Sequence, residues 1–180
     1  YVIKRNFPEI ITNQNKYLSF LELVIDAQAK LISKWMSVGF IHGVMNTDNC
    51  SIVGDTIDYG PCAFMDKYNE NTVFSSIDTF GRYSYKNQPL ICQWNLAQLA
   101  NCILPFLSNE KEKSIKIAQN EIDKYPEVYN DYYSKEIFKK LGFSSEIEND
   151  NKLKDELFDI MKRDELDFTI SFSNLYFELF

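Results

Sequence analysis

The sequence predicts a mainly α-helical lobe with one small β-hairpin, and three observations carry that expectation. Apolar residues recur at helical spacing over residues 17–38, 90–107 and 127–141. Two short apolar runs, residues 50–53 and 56–57, flank Gly54-Asp55, the composition of a tight turn between strands. A length of 180 residues with a 45% hydrophobic share is enough for one domain with a real core, so residues 1–180 read as a single domain.

In chain order, Leu18, Leu21, Ile25, Ala29, Ile32 and Met36 form the stripe of a long amphipathic helix that stops before Gly39 and feeds a loop beginning at His42. If Gly54-Asp55 forms the hairpin turn, Val53 faces Thr56, Ile52 faces Ile57 and Ser51 faces Asp58. Asn49 is then the diagonal same-face neighbour of Asp58. Residues 61–87 read as mostly irregular. Pro89 suits the first turn of a helix over 90–107 that is apolar nearly all round and therefore central and buried, with Pro105 kinking or ending it. Trp94-Asn95 reads as a packing anchor whose amide holds nearby backbone. Residues 108–116 mix charges of both signs and read as a solvated connection or helix start. A helix over 127–141 stops at Gly142, with Tyr129, Tyr132, Tyr133 and Phe138 as core. Residues 146–151 read as an acidic loop, 152–161 as a short helix with Leu153, Leu157, Ile160 and Met161 inward, and 167–180 as a last helix packed on the bundle.

Charge and composition exclude several classes. A formal charge of −7 with no Lys/Arg block argues against nucleic acid or an anionic membrane as partner. No apolar stretch is expected to span a bilayer, and no signal-peptide layout is visible. The four cysteines, Cys50, Cys62, Cys92 and Cys102, contain no C-x-x-C pair and have a single potential histidine partner. Zinc is therefore not expected; Cys92 and Cys102 read as buried thiols, Cys50 as packing beside the loop, and all four as the reduced cysteines of a cytoplasmic protein. His42 is the sole histidine, which rules out a Ser-His-Asp or multi-histidine site within the chain and leaves His42 as structural support.

The hairpin geometry gives the chemistry. An amide oxygen from Asn49 and a carboxylate from Asp58, completed by phosphate oxygens and water, is how proteins commonly hold magnesium on a nucleotide. In an acidic chain such an ion is the local charge that would neutralise ATP. The His42–Asn49 interval equals that of the kinase loop H-R-D-L-x-x-x-N, and Asp58-Tyr59-Gly60 stands where kinases carry D-F-G. Val44 occupies the position of the kinase catalytic Asp and cannot accept a proton. Asp48 is the nearest replacement carboxylate, but strict alternation would aim it away from Asn49 and Asp58, so its role requires the chain to leave extended geometry there. Asp55 reads as a turn residue. For Asp66, Asp78 and Arg82, structural roles compete with substrate contact.

Residues 42–49, HGVMNTDN, followed by Thr56-Ile57-Asp58-Tyr59-Gly60-Pro61, resemble the signature of the selenoprotein O family. The resemblance extends to Gly81-Arg82-Tyr83-Ser84-Tyr85, Asn87-Gln88-Pro89, Trp94-Asn95-Leu96, Leu99-Ala100 and Lys140-Leu141-Gly142. It implies a protein-kinase-like fold of which this chain is the C-terminal lobe, with the nucleotide-covering N-terminal lobe lying outside it. It also implies transfer of AMP from ATP to Ser, Thr or Tyr hydroxyls of protein substrates, with Mg2+ or Mn2+. Matched by position, Asp48 is the proton acceptor, and Asn49 and Asp58 are the metal ligands. Two rivals remain beside it: a pseudokinase that binds nucleotide or a partner without transfer, motivated by Val44, and a kinase whose base has moved to Asp48.

Overall fold

The computed structural model describes residues 1–143 and 151–178. After a short helix α1 (Val2–Asn6), the long helix α2 (Lys16–Ser37) buries Leu21, Ile25, Ala29, Ile32 and Met36 of the predicted stripe, with Val24 beside them and Leu18 only half-buried. It ends where Val38 N–H bonds the Lys34 carbonyl and Gly39 turns to φ +70°. A Cβ on Gly39 would lie 3.0 Å from the Phe168 ring, so glycine serves both the backbone and the packing here. The Lys140 ammonium donates to the Ser37 carbonyl and sits 4.2 Å from the Phe172 ring centroid, a cation placed at a helix C-terminus. Burial lowers the pKa of that ammonium.

The chain then forms β1 (Phe40–Ile41), paired antiparallel with β2 (Ala63–Phe64) in the register Phe40 to Phe64 and Ile41 to Ala63. Mainly α with a two-stranded antiparallel pair is thus the architecture, but the strands are not those predicted. Residues 50–53 and 56–57 form no ladder. Gly54 N–H bonds the Ser51 carbonyl, so the turn is centred on Ile52-Val53, and Asp55 lies beyond it. Instead, side chains of α2 hold this segment against the helix, at one backbone carbonyl and one hydroxyl. Gln28 Nε2 donates to the Ser51 carbonyl, Trp35 Nε1 donates to Thr56 Oγ1 at 2.9 Å, and a Cβ on Gly54 would meet the Ala27 carbonyl at 2.8 Å. Val53 and Ile57 stay more than a third exposed, which is why short apolar runs mimicked a strand pair without being one.

Residues 65–84 are irregular as expected, and a 3-10 turn (Tyr85–Asn87) leads into α3 (Gln88–Leu107), with Pro89 in its first turn and Pro105 in its last. The helix buries one face only: Gln88, Cys92, Asn95, Leu96, Ala100 and Ile103 point inward, whereas Leu90, Trp94 and Phe106 are exposed. This corrects the expectation of a helix buried all round, and Cys102 is exposed with them. No charged residue occurs from 88 to 107, and the stretch Tyr85–Leu107 is long and apolar enough to cross a membrane, against the expectation that none would be. Here its inward face packs on α2 and on α4 (Lys111–Ile122).

Helix α4 is the element the sequence concealed. Its lysines lie outward and it buries only Ser114, Ala118 and Ile122, one residue per turn. α5 (Tyr125–Lys140) ends before Gly142 at φ +81°. Its Tyr125, Tyr129 and Tyr133 stack in sequence and continue onto Phe158 of α6 (Asn151–Arg163). In α6, Met161 is fully buried and Phe158 takes an inward position, but Leu153 and Ile160 are exposed, contrary to expectation. α7 (Phe168–Glu178) packs Phe168 and Phe172 into the core, and its first N–H bonds the Asp66 carbonyl. The predicted acidic loop falls largely on residues 144–150, outside the described residues.

The tyrosine stack sets an alkaline limit on stability. Burial pushes Tyr68 up to about 12, and burial likewise raises Tyr85, Tyr125, Tyr129 and Tyr133. An unfolded tyrosine ionises near pH 10, so above that the unfolded chain holds fewer protons than the folded one and stability falls as pH rises. The contribution is complete below about pH 10 and is lost through pH 12 and above. Titration followed by tyrosinate absorbance should show these phenols ionising together with loss of helical circular dichroism; independent ionisation near pH 10 with the helices intact would refute this.

Candidate functional site

The site grows from residues 42–49. His42 is fully buried and stacks on Trp35 with ring centroids 5.3 Å apart. Its Nδ1 accepts the Val44 N–H, which leaves Nε2–H to donate to the Ile57 carbonyl at 2.7 Å. His42 therefore supports structure, as expected, and its effect is to tie the residue before Asp58 to the start of the loop. A second link comes from Gly43 at φ +87°, where a Cβ would lie 3.0 Å from the Pro61 carbonyl oxygen. Together the two contacts bracket Asp58 between fixed points at Ile57 and Pro61. The predicted strand register does not bring Asp58 toward Asn49; these contacts anchor both ends of its segment on the loop instead.

Asn49 closes a 3-10 turn (Thr47–Asn49), its N–H bonding the Asn46 carbonyl and its Nδ2 donating to the Val44 carbonyl at 3.0 Å. With the nitrogen so committed, the amide presents its oxygen as the remaining donor atom. Asp48 lies in the same turn, so the chain does leave extended geometry at this position. Asp48 and Asp58 are exposed, and among the described residues neither carboxylate has a hydrogen bond or ion pair. Asp58 adopts φ 55°, a left-handed conformation that Asp tolerates better than most residues. The Asn49 amide oxygen and the Asp48 and Asp58 carboxylates are thus hard oxygen atoms without a protein partner among the described residues. No group of three His, Cys, Asp or Glu side chains able to hold a metal occurs among the described residues.

Side chains from α3 and the segment before it hold this loop. Gln88, fully buried, accepts the His42 N–H at Oε1 and donates from Nε2 to the Phe40 carbonyl. Asn95 donates to the Met45 carbonyl and to Cys50 Sγ, the backbone-holding role expected of it. Trp94 beside it is no packing anchor; it is 47% exposed with the Arg82 guanidinium over its ring. Tyr83 Oη donates to Asn46 Oδ1. Asp78 is structural, its carboxylate accepting the N–H groups of Arg82 and Tyr83. Gln88 and Tyr83 escaped notice as site residues, since Gln88 is one of five amides along a helix without charges and nothing in the sequence set it apart.

Burial raises Cys50, and burial pushes Cys92 up to about 12, so both stay protonated at neutral pH. A cavity of about 260 Å³ between α2 and α3 is lined by Gln28, Thr47, Cys50, Cys92 and Asn95 among others, and includes none of Asp48, Asn49 and Asp58.

Replacing Gly43 by alanine forces a side chain into the Pro61 carbonyl and holds a non-glycine residue at positive φ, a cost of about 1–3 kcal/mol. Urea unfolding of the 180-residue chain should register that loss; an unchanged midpoint would show that the Pro61 contact is dispensable.

Residues 1–179 match the sequence profile of a family described as protein adenylyltransferase SelO. The chain belongs to the SelO family. It is similar to the protein nucleotidyltransferase YdiU of Clostridium perfringens (strain 13 / Type A), with 53% identity over 97% of this chain, and to that of Bacillus cereus (strain G9842), with 51% over the same share. In both cases the match spans 36% of the relative's own length, so this SelO-family chain corresponds to about a third of the curated proteins it matches. The GRY, NQP and WNL residues that carried the resemblance now have physical roles. Tyr83, Gln88 and Asn95 are the side chains that reach back to hold residues 40–46.

Proposed function

We propose that this SelO-family chain forms the kinase-like, C-terminal part of a nucleotidyltransferase that moves AMP from ATP to Ser, Thr or Tyr hydroxyls of protein substrates. The observation that carries the reading is the anchoring of Asp58 at Ile57 and Pro61 onto the loop that contains Asn49, with both residues offering uncommitted oxygens. The names printed for the family and its YdiU relatives point the same way.

In this reading Asn49 and Asp58 hold Mg2+ on the triphosphate, where the ion supplies charge neutralisation of the phosphate oxygens. The substrate hydroxyl oxygen bonds to the α-phosphorus, the bond from that phosphorus to the bridging β-phosphate oxygen breaks, and pyrophosphate leaves. Asp48 takes the hydroxyl proton, its exposure and lack of a competing partner leaving it able to do so. Val44, at the position of the kinase base, contributes no proton acceptor. The same valine favours a second reading, a nucleotide- or partner-binding pseudokinase.

Labelled ATP separates the readings. The full-length protein incubated with magnesium and ATP should pass label to protein hydroxyls from the α-position and none from the γ-position. Label from the γ-position would mean phosphorylation with Asp48 as a relocated base, and no label from either would favour the pseudokinase.

A further inference from the structure

The segment between β2 and α3 brings apolar side chains to the surface beside the loop. Phe80 is 98% exposed, and Leu90 and Trp94, four residues apart on the outward face of α3, are exposed with it. Arg82 joins them. Its guanidinium lies 5.0 Å from the Trp94 ring centroid and 5.7 Å from that of Tyr83, so two aromatic neighbours support a planar cation at the surface. Among the described residues no carboxylate forms an ion pair with it. Asp78, close by in sequence, spends its carboxylate on the backbone N–H groups of Arg82 and Tyr83, which fixes the platform further. Tyr83 then joins it to the loop through Asn46, two residues before Asp48.

A guanidinium without a carboxylate partner among the described residues, held on an apolar surface, suits a partner that brings a carboxylate together with an apolar side chain. We propose that Arg82, Leu90 and Trp94 form the docking platform for the protein substrate, and that it selects hydroxyl-bearing segments with an acidic residue next to an apolar one. The proposal rests on the nucleotide-transfer reading. Arg82 takes the carboxylate through paired N–H donors, and Trp94 and Leu90 cover the apolar neighbour. Preorganisation by Asp78 and the two rings lowers the ordering cost of that contact.

The test uses the full-length protein, α-labelled ATP and two synthetic peptides that contain Ser, Thr and Tyr beside leucine, one with flanking glutamates and the other with lysines. The acidic peptide should be modified with a kcat/KM at least about tenfold higher, and Arg82→Glu should reverse the preference while leaving the KM for ATP unchanged. Trp94→Ala should raise the KM for the acidic peptide. Equal use of both peptides, or a preference that survives Arg82→Glu, overturns the proposal. So does a higher KM for ATP in Arg82→Glu, which would assign the guanidinium to the nucleotide. Label on the protein itself but on neither peptide sinks the docking inference alone; no α-label anywhere sinks the nucleotide-transfer reading with it.

Discussion

Gln88→Leu should destabilise the 180-residue chain by about 3–5 kcal/mol, since it strands the His42 N–H and the Phe40 carbonyl in a dry interior, each unmet group costing roughly 1–3 kcal/mol. The side chain is fully buried, so water cannot replace what is lost. Gln88→Glu should also destabilise the chain, because a carboxylate there keeps an acceptor for the His42 N–H only as an unpaired charge in a dry interior facing the Phe40 carbonyl. Chemical denaturation of the two variants checks this. If Gln88→Leu unfolds at the parent midpoint, the amide is not what joins β1 to α3.

Asp58→Asn should lower AMP transfer by the full-length protein by about 10²–10³-fold, the scale set by removing one preorganised electrostatic contact from a transition state. Asparagine is the better replacement because it tolerates the left-handed φ of 55°, whereas alanine there adds a backbone cost of about 1–2 kcal/mol that would confuse the result. The carboxylate is exposed and makes no hydrogen bond or ion pair, so thermal stability should stay at the parent value. Transfer assays at increasing magnesium, paired with a melting curve, distinguish the outcomes. Parent-like transfer at every magnesium concentration would remove Asp58 from the metal site.

Much of this was legible from residue types, and the exceptions share a cause. Helices α2, α3 and α5 announced themselves through long apolar repeats with Gly or Pro at their ends. Helix α4 did not, because one small buried residue per turn, Ser114, Ala118 and Ile122, leaves a charged sequence that reads as loop. At the site, the His42–Asn49 interval and the Asp58 triplet were visible as spacing. The tethers were not: Ile52, Val53 and Ile57 suggested strands that pair with each other, while the backbone there bonds to Gln28 and its neighbour Thr56 to Trp35, more than twenty residues upstream. Spacing shows which residues stay near one another along the chain. It says nothing of a donor arriving from another helix.

The reach of Gln88 and Asn95 back to residues 40–45 also orders events in time. Contacts separated by 46 to 50 residues form only after a large loop has closed, an entropic step that local helices do not face. A ribosome that has released the chain as far as Asn87 has therefore delivered Asp48, Asn49 and Asp58 without either amide that fixes their loop. Until α3 emerges and docks on α2, the loop has its links to Gln28, Trp35 and Ile57 but neither of the two amides, so its final anchoring comes only with the docking of α3.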